Sequence, residues 1–388
     1  MPLDWLKTEL DAKQHAGLLR ELRTVRSLPD GWCELDGRRL RNFASNDYLN
    51  LAHDPRVVEA ARTALNESGV GAQASALVCG RSEFHERREA TIASFEGTEA
   101  AILFPTGYAA NVGTLTALIK PDDVVFCDRL NHASLVDGCR SSGARLRVYR
   151  HDRLDVLDRE LKSAADASAN ASSKSRSTRQ SISRRWIVTD SVFSMDGDLA
   201  PLPAICDLAE RYEADVIVDE AHGTGIFGEH GRGVCELTGT EERVAVRIGT
   251  LSKAIGTQGG FVAGSLQLRD FLWNSARTQM FSTALSPIVT AAAEAAIRII
   301  QSEPERREKL HSVCRLFRTE WERLTGTNWS SSVPGPILPV IAGDAETAVA
   351  ASQQLREAGF LVPAIRPPTV PQNTSRLRVT LTAATEPE

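Results

Sequence analysis

The chain has little that would serve a disulfide framework, a metal centre, a membrane span or a nucleic acid. Its 388 residues include seven cysteines, Cys33, Cys79, Cys127, Cys139, Cys206, Cys235 and Cys314, and no C-x-x-C pair. An odd, scattered set fits free thiols in a reducing cytoplasm better than disulfides or a zinc site. No H-E-x-x-H occurs, because His85-Glu86-Arg87-Arg88-Glu89 lacks the second histidine, so metal catalysis has no support. No apolar run approaches the roughly 18 residues of a membrane span. The amphipathic, acid-bearing start MPLDWLKTELDAKQHAG resembles neither a secretory signal nor a transit peptide. A formal net charge of -5 argues against a nucleic-acid binder, which normally carries a basic stripe.

What is present is an ordinary globular composition, 42% hydrophobic and 24% charged, over a length that favours two lobes. Residues 3–26 read as a helix with leucines among charges, and Asp36-Gly37 supplies the turn of a following hairpin. Six β-rich runs, AAILF, DVVFC, ARLRVY, RRWIVTDS, ADVIVDE and VAVRIG, then alternate with helical patterns such as ANVGTLTALI and LPAICDLAERYE. Such alternation predicts an α/β fold with a mainly parallel sheet covered on both faces, and ligands beyond the strands' carboxyl ends. Residues 163–185 carry eight serines and a single isoleucine, and read as a disordered, low-complexity surface insertion without function. From Ser286 the patterns describe a smaller α+β lobe, and the chain stops after SRLRVTLTA without the closing helix expected there. The expected division is 1–40 as an N-terminal helix and hairpin, 41–285 as the large lobe and 286–388 as the small one.

The chemistry lies at strand ends. In VRIGTLSKAIGT, Lys253 sits in a turn of small residues that leaves room for something flat against the backbone. Some thirty residues upstream, ADVIVDEAH ends in Asp219 and His222. A lysine amine, a carboxylate and an imidazole so placed can hold a pyridine aldehyde. The segment LFPTGYAANVGTL supplies strand, turn and helix start, so the amides of Gly107 and Tyr108 would face a phosphate, with hydroxyls of Thr250 and Ser194 as further donors. His132, in FCDRLNHASL, could stack over an aromatic ring or merely cap the helix after it. The run Gly223 to Gly228 matches G-x-G-x-x-G, but GEHGRG follows instead of a helix, so it reads as a cofactor loop and not a nicotinamide site.

Taken together, SNDYLNLAHDP, TGYAAN, DRLNHASL, VFSMDGDLAPL, VDEAHGTGIFGEHGRG, GTLSKAIG and AIRPPTVPQNTSRLRVTLTAA resemble the α-oxoamine synthases, from roughly Leu10 to Ala384. That resemblance implies a fold-type-I pyridoxal 5'-phosphate (PLP) transferase, with a seven-stranded, mainly parallel sheet in the large domain. It implies that Lys253 carries the cofactor, Asp219 pairs with the pyridine nitrogen, His222 bonds the ring oxygen and His132 stacks on the ring. Thr283 would reach a neighbouring subunit's phosphate in a homodimer whose site lies at the subunit interface. Arg378, with Asn46 nearby, would take the amino-acid carboxylate, and Arg20 and Thr369 would touch the acyl substrate. Arg366 and the PPTVP run favour the biotin-pathway branch, which condenses L-alanine with pimeloyl-CoA or pimeloyl-ACP. The alternatives are a relative condensing glycine with acetyl-CoA, a simple transaminase and a non-catalytic PLP-binding protein. Arg88 departs from the family pattern by standing at an apolar helix position, which is expected to weaken packing there.

Overall fold

The computed structural model describes residues 3–20, 22–174, 183–326, 329 and 333–386, without side chains for 169–174. They form two compact units: 1–50 with 195–197 and 309–388, and 51–194 with 198–308. The boundaries differ from those expected at residues 40 and 285. The alanine-rich helix Pro287–Ser302 packs against the helices Pro55–Ser68 and Glu83–Glu96, and so belongs with the larger unit.

The larger unit is built on seven strands in the order Ala100–Phe104, Gly260–Gly264, Val246–Thr250, Ala214–Asp219, Arg185–Asp190, Val124–Asp128 and Arg145–Tyr149. The last five are mutually parallel, and Gly260–Gly264 runs antiparallel to both its neighbours. Ala100–Phe104, Val124–Asp128 and Val246–Thr250 are buried along their whole length, as expected of strands covered on both faces. Ile102, Val125, Val188, Ile217 and Ile248 join Leu115, Leu135 and Leu272 from covering helices in one apolar core. The six strand runs read from sequence are all present. The seventh, GFVAG, carries too little β-branched content to announce itself.

The smaller unit holds two sheets. One pairs Val25–Leu28, Trp32–Leu35 and Arg38–Asn42 as an antiparallel meander, with Phe360–Leu361 added in parallel. Asp36 and Gly37 turn the hairpin at φ 53° and 73°, the left-handed pair that a two-residue hairpin loop requires. The other sheet orders Ile337–Gly343, Ser375–Thr380 and Ala364–Ile365.

Two expectations need correction. The first helix spans only Trp5–His15, and Gly17 at φ 65° ends its path, so Arg20 lies beyond it in irregular chain. The leucines at 18, 19 and 22 continued a helical pattern, but glycine and the carbonyl partners described below set the end. Residues 163–174 are not irregular either: the helix Leu154–Lys174 runs through them. Alanine spaced among the serines keeps helix propensity high even where no core is buried. The rest of the expected insertion up to residue 182 lies outside the described residues, and Arg185 already opens a strand.

Candidate active site

Parallel strands deliver their carboxyl ends to one edge of the larger unit, and the predicted cofactor residues follow there. Asp219 closes its strand, 4% exposed. Its Oδ1 accepts the amide of Ala221 at 2.7 Å, and its Oδ2 accepts Asn111 Nδ2 at 2.6 Å. His222, three residues on, is buried. Lys253 is half-buried in the turn after Val246–Thr250. Gly256 gives that turn its shape: φ is 72°, and a Cβ there would stand 2.6 Å from the amide nitrogen of Ala52.

Thr250 donates its hydroxyl to the Gly259 carbonyl at 2.8 Å. Gly107 and Tyr108 open the helix Gly107–Leu118, capped by Thr106, whose side chain accepts the amide of Ala109. The first amides of a helix have no intrahelical acceptor, which leaves this pair suited to an anion. Tyr108 itself is exposed, and its hydroxyl donates to Asp137 at 2.7 Å. A Cβ on Gly260 would lie 2.5 Å from the Thr106 carbonyl oxygen, so the antiparallel strand presses directly on the base of this helix start. Thr283 is exposed, in a backbone bridge with Ser75.

His132 caps the helix Ala133–Ser141: its Nδ1 accepts the amide of Ser134 at 3.3 Å and lies 2.7 Å from Ser134 Oγ. Its own amide donates to Asp190 Oδ2 at 2.6 Å. Burial and the nearby Asp219 push the Asp190 carboxyl well above the usual range, against the His132 amide and Lys253. The imidazole of His132 is pushed below its ordinary value by packing around it, with Asp219 opposing and Lys253 reinforcing. His132, Asp190, Asp219 and Lys253 therefore share one electrostatic neighbourhood.

Sequence reading missed several supports. Asn111 and Ser134 are buried beneath the site and bonded to each other at 2.8 Å. Asparagine inside the otherwise apolar helix GYAANVGTLTAL was the available signal, because a buried amide needs partners. Glu220 accepts the amides of Val234 and Cys235 at 3.0 and 2.7 Å and the Ser191 hydroxyl at 2.6 Å, fastening the glycine-rich loop that follows Asp219. Loop, and not helix, follows Gly223, as expected for a decoy fingerprint. Ser194 is half-buried and follows Phe193, whose ring stacks on His151 with centroids 4.0 Å apart. His151 lies between two carboxylates, 3.3 Å from Asp128 and 3.0 Å from Asp198.

Of the six substrate candidates, His132 lies in the larger unit, and the other five fall in the smaller unit, in two clusters. Arg378 is buried and donates to Asn46 at 3.2 Å and to Thr380 at 2.9 Å. Arg20 donates to Thr369 at 3.1 Å, while Arg366 donates to the carbonyls of Gly17 and Leu19, the latter at 2.6 Å. Arg366 thereby ties down the segment that carries Arg20. Its neighbour in the other cluster, Arg376, is taken up by Asp196 and the Met195 carbonyl.

The aminotransferase class I and II family matches residues 38–388. An 8-amino-7-oxononanoate synthase of Alkalilimnicola ehrlichii is 46% identical over 386 residues, covering 99% of this chain and 94% of that protein. The 8-amino-7-oxononanoate synthase 2 of Bacillus subtilis is 44% identical over 382 residues, covering 98% and 92%. Among solved structures, a serine palmitoyltransferase from S. paucimobilis with a bound PLP-myriocin aldimine is 30% identical, with a TM-score of 0.88 over 99% of this chain and 93% of that one.

The residues present fit PLP. A carboxylate at one strand end, a lysine at the next and two helix-start amides supply the donor and acceptor set of that cofactor. A Cβ on Gly107 would come within 3.2 Å of Thr250 Oγ1, so glycine keeps the anion side clear. Sheet order, site chemistry and sequence kinship lead to one conclusion: the chain belongs to the aminotransferase class I and II family, as a fold-type-I PLP enzyme of the 8-amino-7-oxononanoate synthase group.

Proposed function

We propose that the protein condenses L-alanine with a pimeloyl thioester, on coenzyme A or acyl carrier protein, to 8-amino-7-oxononanoate, carbon dioxide and free thiol. The observation that carries the reading is the meeting of Asp219, His132 and Lys253 at the carboxyl edge of the sheet in a relative of 8-amino-7-oxononanoate synthases. PLP, when bound, supplies an electron-withdrawing ring that stabilises negative charge at the amino-acid α-carbon.

The chain's own residues do the rest. Lys253 would hold the cofactor, and its Nζ would take the α-proton and later return one. Asp219, its orientation fixed by Ala221 and Asn111, would favour a protonated ring nitrogen. His222 and His132 would help to hold the cofactor's ring. The amides of Gly107 and Tyr108, with Ser194 and Thr250, hold the cofactor and its phosphate, and Thr283 serves the phosphate of a partner subunit in a homodimer. Arg378 takes the alanine carboxylate as a charge-assisted pair, with Asn46 orienting its guanidinium. Arg20 and Thr369 meet the acyl chain, and Arg366 holds their segment in place. The setting is the cytoplasm, consistent with cysteines that are all free.

The test is direct. Purified holoprotein is given alanine, glycine or serine with pimeloyl-, acetyl- or palmitoyl-CoA, and with pimeloyl-ACP. The expected result is thiol release and the nine-carbon amino-ketone, by mass spectrometry, with alanine and pimeloyl donors only. Preference for glycine and acetyl-CoA, or sustained amino exchange with an oxoacid, would overturn the reading.

A further inference from the structure

Beneath the site runs a chain of hydrogen bonds from a carboxylate to an imidazole. Asn111 Nδ2 donates to Asp219 Oδ2 at 2.6 Å and to Ser134 Oγ at 2.8 Å. An amide nitrogen has two hydrogens and no acceptor capacity, so both contacts are donations and Ser134 Oγ receives one. That leaves the Ser134 hydroxyl hydrogen for His132 Nδ1, 2.7 Å away. The backbone amide of Ser134 also points at Nδ1, at 3.3 Å. A backbone N–H can only donate. Nδ1 must therefore present its lone pair, and the ring proton resides on Nε2.

We infer that Asn111 and Ser134 are positioning residues that lock His132 as the neutral Nε2–H tautomer and tether its orientation to Asp219. Protonation of Nδ1 would break the bonds from the Ser134 amide and hydroxyl together, and would place a cation at a helix start, where the dipole opposes it. Lys253 opposes that charge as well, whereas Asp219 and Asp137 favour it, and Asp190 receives the His132 amide from the neighbouring strand. The direct bonds to Nδ1, not this balance of charges, fix the tautomer. Asn111 and Ser134 are both buried, 2% and 0% exposed, so water does not substitute freely for either. The inference rests on the PLP-site reading for its catalytic meaning, since it fixes which ring nitrogen of His132 carries the proton.

The test uses holoprotein with 15N-labelled histidine, the His132 resonances assigned through His132→Gln. The expected signal is an unprotonated Nδ1 and a protonated Nε2 across neutral pH. Ser134→Ala should raise the imidazole's titration midpoint by about 0.7 of a pH unit, the size of one typical net hydrogen bond. Ser134→Thr should return it, and the acid limb of kcat/KM should move with it. Asn111→Ala should raise the midpoint less, and the double variant should go no further than Ser134→Ala, as members of one chain do. A protonated Nδ1 in the parent protein, an unmoved midpoint in Ser134→Ala, or additive shifts would each overturn the inference. Because the resonances do not depend on turnover, loss of the condensation activity with the tautomer intact would count against the proposed reaction and not against the relay.

Discussion

Arg88 has the largest side chain among the fully buried residues, at 0% exposure. Its guanidinium donates to the Thr290 carbonyl and lies 3.8 Å from Glu294, while Nε and Nη1 find no partner among the described residues. Burial pushes its pKa down to about 9, with Glu294 opposing and Arg298 reinforcing. A buried, half-satisfied cation is a poor source of stability, and apolar replacement of such groups is often neutral or better. Glu294 keeps a second partner in Arg298, at 2.7 Å. Arg88→Met should therefore match or exceed the parent's stability in urea unfolding; a loss above about 2 kcal/mol, of the kind that follows breaking a buried pair, would show that the cation supports the fold. The sequence placed this arginine on the apolar face but gave no hint of its carbonyl partner 202 positions away.

His151 makes the opposite case. Burial works to lower its pKa, but Asp128 and Asp198 outweigh burial and raise it from 6.5 to about 9. A group raised in the folded state contributes stability that is complete below about pH 6.5 and is lost as pH rises through about 9. The shift corresponds to a contribution on the order of 3 kcal/mol. The parent protein should thus lose stability between pH 7 and 10, and His151→Gln should flatten that part of the curve; equal slopes for the two proteins would refute the assignment. Nothing in RVYRHDRLD marks His151, because its partners lie 23 and 47 residues off and only folding assembles them. Lys253, Asp219 and His222 were legible for the contrary reason: each stands in a local pattern whose chemistry is unusual for a surface.

At the level of elements, continuous apolar β-branched runs made the parallel strands readable, and alternation with helices gave their topology. Gly260–Gly264 escaped because its role is to be small. Its first residue supports Thr106 and Gly107 at a distance that excludes a side chain. Gly260→Ala should leave the sheet intact yet displace the helix start proposed to bind the phosphate, and PLP affinity should fall about 10-fold to 100-fold, the range set by about 1.4 to 2.8 kcal/mol. Titration of the apoprotein, followed by the absorbance of the bound cofactor, measures this; unchanged affinity would remove the helix start from the phosphate's binding set. The helix Leu154–Lys174 teaches the complementary lesson. Low apolar content argued against a core, but propensity and one apolar stripe, with Leu157 and Leu161 fully buried, were enough to carry it through the serines.

For the molecule as a whole, the cofactor is a linked term in folding. A ligand held only by the native state adds about 2.7 kcal/mol at 100 times its Kd. Holoprotein should melt above apoprotein by several degrees, and Lys253→Ala should shrink that gap; identical melting of both parent forms would mean the cofactor does not contribute to the native state. Among the described residues no helix is long and apolar enough to cross a membrane. The chain divides into two compact units, with residues 195–197 falling in the smaller one, a crossing that composition could not disclose.

Glu220 has a reach beyond its own bonds. By gripping the amides at 234 and 235 from the end of the strand that bears Asp219, one carboxylate turns the intervening glycine-rich stretch into a closed ring. A ring cannot swing like a flap about a single end. It stays shut or springs open entire, so a protease should nick residues 223–233 of Glu220→Gln readily and those of the parent hardly at all.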